Sequence, residues 1–196
     1  MFLQLYDKNH NKIAGLAVAK AATVESVLST GDGTLSFLYP IEGVARLVNE
    51  AYIRTKTDEY TIKEVQPDSS NLWCSVKATL NVEDLEGICW PRFESVEQTI
   101  DDCLKLAIAG TGWIIGSCTV TKRRTIRKTE CSGWDIIQQA RKTYRCEIWF
   151  DTIDKKIHIA EKRGQDKGMY FTDTLNLRKL TIQSTSYDFC TRIKAE

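Results

Sequence analysis

Through its first 80 residues the chain alternates apolar and polar positions with a period of two, the pattern of half-buried β-strands. Polar turns interrupt this alternation, among them DKNHNK, STGDG and KTDE. The segments between the turns predict strands at 2–6, 13–18, 23–28, 34–39, 52–55, 60–66 and 72–80. Short strands with turn residues at regular spacing are typical of an antiparallel barrel or sandwich.

The pattern changes near WPRFES, where a helix is expected. Ser95 has the character of an N-cap, and Gln98 three residues later would complete a capping box. The apolar residues that follow fall at helical spacing: Val96, Ile100, Cys103, Leu104 and Ala107. The helix should end at AGTG, where Gly110 or Gly112 supplies the left-handed cap, and a strand is expected over 113–118.

The same plan returns in CSGWDIIQQARKTYRCEIWF. Ser132 is expected to cap a second helix, 37 residues after Ser95, and residues 146–150 are expected to form the strand after it. KRRTIRK, at 122–128, reads as a strand between the two units, and a turn over 151–155 leads to a partner strand over 156–161. Together the patterns predict an α+β fold: a β-barrel followed by a module of two helix-strand units.

Composition and charge narrow the class of protein. The chain has 196 residues, 42% of them apolar, with five Trp, seven Tyr and six Phe, which supports an ordinary packed core. It suits one large domain or two small ones. The 27 basic residues nearly balance the 26 acidic ones, so no overall field draws the protein to nucleic acid or to an anionic membrane.

Targeting and cysteine patterns point to a reduced, cytosolic site of synthesis. No apolar run approaches the length of a membrane span, and MFLQLYDKNHNK lacks the features of a signal peptide. The seven cysteines show no C-x-x-C or similar spacing, so neither a metal site nor a cofactor is predicted. Most of these cysteines are expected to be small core residues.

A catalytic cysteine is the first chemical hypothesis. Cys131 precedes a predicted helix N-terminus, whose dipole would lower the pKa of its thiol, and Cys146 closes the same stretch. A cysteine protease also needs a histidine within hydrogen-bond reach. The chain offers His10, in a predicted turn, and His158, which alternates with two isoleucines and should face the polar side of a strand. No catalytic residue is therefore predicted.

Two acidic clusters are candidates for the paired carboxylates of a glycosidase, but both are expected to be solvated surface. The acidic residues Glu83, Asp84 and Glu86 of NVEDLEG are expected to lie in a polar turn with Leu85 tucked inward, while Asp101 and Asp102 lie early on the first helix, where the dipole favours them.

The basic strand carries Arg123, Arg124, Arg127 and Lys128. It could contact phosphates, an acidic partner surface, or nothing at all as a charged edge that resists aggregation. Aromatic interleaving and nucleic-acid motifs are absent from the sequence, so no nucleic-acid site is predicted.

The order of segments resembles a known family. The residues that carry the resemblance include LQLYDKNHNKIAGL, FESVEQTIDDCLKLAIAGTGWIIG, CSGWDIIQQARKTYRCEIWFDTIDKKIHI and LNLRKLTIQSTSYDFCTRI. They are similar to the N-terminal part of tail proteins of siphophages and prophages of Gram-positive bacteria. These proteins are variously called minor structural protein, tail-associated lysin or prophage endopeptidase tail. The resemblance covers essentially the whole chain.

The resemblance implies a baseplate hub subunit at the virion tail tip, made in the cytoplasm of the bacterial host. In that family the hub is a homotrimer that meets the distal tail protein, the tape-measure protein and a tail fibre or lysin. Residues 1–90 plus 184–196 would form a β-barrel hub domain, and residues 91–183 an inserted α+β domain. Members of the family continue past this length, often with a peptidoglycan hydrolase. A tail endopeptidase is therefore the alternative function, although no lytic domain is evident in this sequence.

Overall fold

The period-two segments of the first 80 residues form one antiparallel sheet of seven strands. The computed structural model describes residues 2–67, 72–164 and 167–168. Chain contacts divide the protein into residues 1–163 and residues 164–196, and every element below belongs to the first unit. The strands of the sheet are β1 (Gln4–Tyr6), β2 (Lys12–Gly15), β3 (Lys20–Val27), β4 (Asp32–Pro40), β5 (Tyr52–Arg54), β6 (Glu59–Pro67) and β7 (Trp73–Leu80).

The sheet is an open, curled half-barrel whose order is β2-β1-β5-β6-β7-β4-β3. The predicted strands are confirmed, with a short 3₁₀ helix (Ile41–Arg46) between β4 and β5. Within the described residues β2 and β3 end the sheet without pairing with each other. The strand expected at 184–196 lies outside the described residues, so the barrel and the inserted domain remain predictions.

One face of the sheet is apolar and closely packed. On β4 the buried side chains alternate, with Leu35, Phe37 and Tyr39 turned inward. Val76 and Ala78 of β7 lie opposite Phe37 and Leu35 and are fully buried. Each large apolar side chain so buried contributes about 1.5–3 kcal/mol, which is what gives the sheet its register.

The second half of the unit mixes helices and strands. Its elements are α1 (Glu83–Gly87), β8 (Cys89–Thr99), α2 (Ile100–Ala107), β9 (Ile114–Cys118), β10 (Arg123–Ser132), α3 (Gly133–Tyr144), β11 (Glu147–Asp151) and β12 (Lys156–Ala160). β8 and β10 pair as a two-stranded antiparallel ribbon, and a separate sheet has the order β11-β12-β9. The expected mixture of α-helices and strands is present.

The predicted cap at Ser95 is wrong. Ser95 lies within β8 opposite Ile126, and α2 begins only at Ile100, capped by Thr99, whose hydroxyl accepts a hydrogen bond from the backbone N–H of Asp102. The capping-box spacing was misleading because residues 89–99 also fit a strand, and pairing with β10 supplies their backbone hydrogen bonds. Val96, placed on the helical stripe by sequence, is exposed on the ribbon.

The second helix begins where it was predicted. The Ser132 hydroxyl accepts from the Asp135 N–H, and the Asp135 carboxylate accepts from the Ser132 N–H, which completes a capping box. After α2, Gly110 and Gly112 both have the left-handed conformation, but the helix itself ends earlier, at Ala107, and its C-cap is Ile108 rather than either glycine.

Correcting the first cap reveals an internal repeat of 33 residues rather than 37. The caps Thr99 and Ser132 are 33 positions apart, and so are the starts of β9 and β11. Left-handed backbone recurs at the same spacing: at Glu97 and Glu130 before the caps, and at Gly112 and Arg145 before the strands. We call β8-α2-β9 the first repeat and β10-α3-β11 the second repeat.

The two repeats are related by an approximate two-fold axis through the ribbon. Glu94 and Arg127 are equivalent positions of the repeats, and they face each other across β8 and β10. The Arg127 Nε donates to Glu94 Oε1 at 2.6 Å, so this ion pair lies at the axis. β12 breaks the symmetry. It lies between β9 and β11, parallel to β9 and antiparallel to β11.

The second repeat is fastened to the seven-stranded sheet. The Gln138 Nε2 donates to the Thr30 carbonyl at 2.8 Å, in the turn between β3 and β4. In the turn after β11, the buried Thr152 hydroxyl accepts from the Glu59 N–H at 2.6 Å and donates to the Glu59 carbonyl at 3.2 Å. Gly31, with φ +75°, lies against Ile148 and Phe150 so closely that a Cβ would be 2.7 Å from the Ile148 carbonyl oxygen.

Candidate assembly surface

The two cysteines singled out by sequence are buried thiols. Cys131 lies on β10 opposite Trp90, and burial raises the pKa of its thiol, so the expectation that a helix dipole would lower it is wrong. Burial raises the pKa of Cys146 to about 11. Burial therefore disfavours the nucleophilic thiolate form of both residues.

The two histidines have partners other than cysteine. His10 stacks on Tyr52 at 4.3 Å between ring centroids, and its Nδ1 is 3.6 Å from the Glu59 carboxylate. His158 stacks on Trp149, and its Nδ1 is 2.8 Å from the Ser117 hydroxyl.

The Ser117–His158 contact was missed by sequence reasoning. Only the parallel pairing of β9 with β12 brings the two residues together, and Gly116 leaves room for the imidazole, which would lie 2.6 Å from a Cβ there. A serine nucleophile needs its histidine oriented by a third group. No carboxylate in the described residues hydrogen-bonds to His158, so the arrangement is a pair and not a triad.

Three residues of the two acidic clusters, Glu83, Asp84 and Asp101, are held in ion pairs. Glu83 and Asp84 lie on α1, a single helical turn where a polar turn was expected, and Leu85 is buried beneath it as predicted. Glu83 pairs with Lys63 and Asp84 with Lys155, each at 2.6 Å.

On α2, Asp101 pairs with Lys105 at 2.5 Å, while Asp102 accepts from the Thr99 hydroxyl at 2.7 Å. Within the described ranges, no group of three His, Cys, Asp or Glu side chains could hold a metal ion.

The basic strand is partly neutralised by its neighbours. Arg127 pairs with Glu94, and Lys128 pairs with Asp135 at 3.1 Å. Arg123 and Arg124 donate to backbone carbonyls and are exposed. These cations lie on β10, which forms one edge of the ribbon, and Pro91 lies on β8, which forms the other. Charge on the first edge and proline on the second discourage the addition of another strand.

The ends of the seven-stranded sheet have a different character. Seven of the eight residues of β3 are exposed, including Val24 and Val27, and β3 carries one lysine and one glutamate. Its side chains are exposed on both faces of the sheet, and within the described part of the chain no strand pairs with its outer edge. At the opposite end, Ile13 of β2 is about half exposed. An exposed strand edge is a template for pairing with another strand. This pair of edges is the candidate assembly surface.

A family model and solved structures add an independent comparison. Residues 92–159, which span most of both repeats and β12, match the model of the prophage endopeptidase tail domain. The fold is similar to that of prophage tail protein gp18 from Listeria monocytogenes EGD-e, with a TM-score of 0.67 at 14% identity. That match covers 88% of this chain and 56% of the other. This likeness shows a fold shared with a prophage tail protein.

Two further tail proteins share the fold. One is from Neisseria meningitidis MC58, with a TM-score of 0.59 at 9% identity, covering 86% of this chain and 52% of that one. The other is the 43 kDa tail protein of prophage MuSo2 from Shewanella oneidensis, with a TM-score of 0.55 at 12% identity, covering 82% and 54%. The chain thus spans just over half of each of these tail proteins. No curated protein matches it.

The similar structures are described as tail proteins, and the family description contains the word endopeptidase. In the described residues no helix has the length and apolar character needed to cross a membrane.

Proposed function

We propose that the chain is a structural subunit of the phage tail tip, where it helps to build the hub of the baseplate. The observation that carries this proposal is the fold match to a prophage tail protein over 88% of the chain, which takes in both the seven-stranded sheet and the two repeats. The buried thiols and the ion-paired carboxylates agree with a role in assembly. Such a hub would form the ring that links the tail tube and tape measure to fibre or lysin modules.

The proposed partners follow from this position. The hub is a homotrimer in the virion of a phage or prophage of Gram-positive bacteria, and it binds the distal tail protein, the tape-measure protein and a tail fibre or lysin. Synthesis takes place in the bacterial cytoplasm before assembly. The sheet edges and the uncovered side of the first repeat are the surfaces available for these contacts.

Binding to the neighbouring tail protein tests the proposal. The chain and the distal tail protein of the same phage would be purified separately, mixed, and measured by size exclusion with light scattering. A complex larger than either component is the expected result. A chain that ignores the distal tail protein, and that is also absent from purified particles, would refute the proposed function.

The alternative is a tail endopeptidase that cleaves peptidoglycan. The Ser117–His158 hydrogen bond and the family description favour it. Zymography on peptidoglycan would compare the protein with S117A and H158A, and C131A and C146A would test the thiols. Clearing by the unchanged protein that disappears in any of these variants would replace the structural proposal with the enzymatic one.

A further inference from the structure

The outer face of the ribbon carries two arginines that share one carboxylate. Arg127 lies directly opposite Glu94, and Thr129 lies directly opposite Arg92. Directly opposite residues of antiparallel strands, and residues two positions apart on one strand, project from the same face. Glu94 accepts from the Arg127 Nε at 2.6 Å and from the Arg92 Nη2 at 3.1 Å. One acid therefore holds two guanidinium groups side by side.

A depression beside this network is lined by cations and by no carboxylate. Its lining residues are Arg92, Phe93, Arg127, Lys128 and Thr129. Phe93 is buried, whereas the side chains of Arg92 and Arg127 are 74% and 65% exposed. The depression is therefore accessible to a solute, and its walls carry positive charge.

Most of the hydrogen-bond donors around the depression are unused. A guanidinium has five N–H donors, and Arg92 and Arg127 each give one of them to Glu94. In the described part of the chain no other hydrogen bond uses these two groups or the Thr129 hydroxyl. Lys128 adds charge, although its ammonium already pairs with Asp135. An anion would thus meet donors from both strands, with the arginines already held in place.

We propose that this depression binds a phosphate group. The planar fork of arginine offers parallel N–H donors that match the oxygens of a phosphate. Donors that come from two strands suit a tetrahedral group better than the single plane of a carboxylate. β8 and β10 together carry five basic and three acidic side chains, so an anion is favoured over a cation. The inference goes beyond the proposed function and does not depend on it.

The remainder of the chain brings no excess of acid that would neutralise the depression. Residues 169–196 carry four basic residues and three acidic ones, namely Arg178, Lys179, Arg192 and Lys194 against Asp173, Asp188 and Glu196. The positive charge of the ribbon is therefore left for a ligand from outside the chain.

The approximate two-fold axis provides a comparison within the ribbon. The 33-residue spacing makes Thr125 the equivalent of Arg92, and Val96 the equivalent of Thr129. On that side of the axis a threonine replaces the second arginine, and an exposed valine replaces the hydroxyl. The donors are thus concentrated on one side of the axis, so they are not a consequence of the repeated architecture.

Phosphate titration followed by NMR tests the site. Inorganic phosphate would be added to the nitrogen-15-labelled full chain, with sodium chloride keeping the ionic strength constant. Saturable shifts of the Nε–H signals of Arg92 and Arg127 are expected. R92Q and R127Q should each weaken binding about tenfold, the effect of losing one charge-assisted hydrogen bond. The matched control is R123Q, which removes an exposed arginine of the same strand outside the depression and should leave the dissociation constant unchanged.

A second experiment identifies the molecule that carries the phosphate. Flotation of the chain with phosphatidylglycerol vesicles, lost in R92Q and R127Q, would assign the phosphate to a lipid headgroup. Binding of inorganic phosphate without flotation would assign it to a soluble phosphate compound.

Three results would overturn the proposal. They are shifts that do not saturate, equal shifts with sodium chloride alone, and equal phosphate affinities in R92Q, R127Q and R123Q. The proposed function is tested separately, since none of these results concerns binding of the distal tail protein.

Discussion

The two repeats share an interior and differ on the outside. Their buried helix positions are equivalent and apolar in both: Cys103 and Ile136, Leu104 and Ile137, Ala107 and Ala140. Outward-facing positions diverge, with Asp101, Lys105 and Ser117 in the first repeat and Trp134, Gln138 and Phe150 in the second. Phe150 packs against Gly31 in the β3–β4 turn, and Trp134 packs on Phe150. In the first repeat, Asp101 and Lys105 pair with each other at the surface instead. The apolar interior that the two repeats share maintains the fold of each. The side chains on the outside decide which of the two repeats packs against the seven-stranded sheet.

The largest expected effects are in the interior shared by the repeats. L104A and I137A each remove a fully buried side chain at equivalent positions, and each should lower the free energy of unfolding by about 2–5 kcal/mol. Urea unfolding followed by circular dichroism measures both. If one substitution cost little, the repeats would not contribute equally to one core.

G31A tests how closely the turn approaches the second repeat. The new Cβ would meet the Ile148 carbonyl and Phe150 in a left-handed conformation, so a loss of about 2–4 kcal/mol is expected from strain and overlap together. The matched control is G112A, also left-handed, at φ +80°, but with nothing within 4 Å of the Cβ. Its cost should be limited to about 1–2 kcal/mol of conformational strain. Equal losses in the two variants would contradict the close contact at Gly31.

T152V removes a hydroxyl that satisfies both the N–H and the carbonyl of Glu59. The Glu59 N–H would lose its partner, while the Glu59 carbonyl would still accept from the Asn81 N–H at 3.0 Å, so the expected cost is about 1–3 kcal/mol in a thermal or urea unfolding experiment. The equivalent residue of the first repeat is Thr119, which is exposed. T119V should therefore change stability by no more than about 0.5 kcal/mol. A similar loss of stability in T152V and T119V would mean that the hydrogen bonds between Thr152 and Glu59 do not specifically hold the second repeat to the sheet.

The smallest effect concerns the cap of the second helix. Hydrogen bonds from the Ser132 backbone and hydroxyl, with Lys128 beside them, hold the pKa of the Asp135 carboxyl below its ordinary value. A lowered folded-state pKa stabilises the protein above the unfolded value, and that contribution is lost as the pH falls through the folded value.

D135N should therefore be less stable than the unchanged protein at neutral pH and should show a weaker loss of stability on acidification below about pH 4. Urea unfolding across this range measures the difference. Parallel pH profiles for the two proteins would count against the capping box as the cause.

Local patterns predicted the sheet well and the start of the first repeat poorly. Alternating apolar residues located β6 and β7 because one face of the sheet is buried there, whereas β2 and β3 are largely exposed and were located by the polar turns beside them. Ser132 was identified because the capping residue, the helical spacing of the apolar residues and the charged residues around it all indicate a helix. Ser95 satisfied a capping box inside a strand, and the partner of that strand, β10, lies more than 25 residues away. The Ser117–His158 pair and the fastening of Thr152 to Glu59 join residues 41 and 93 positions apart. No local period reports such contacts, since they depend on how the sheets meet.

The most direct test of the tail-tip assignment is to locate the protein on the particle. Phage particles would be purified and labelled with gold-coupled antibody against the full chain, then viewed by electron microscopy. Label confined to the end of the tail distal to the capsid is the predicted result. Label on the capsid or along the whole tail tube, or particles that carry none of the protein, would contradict the account.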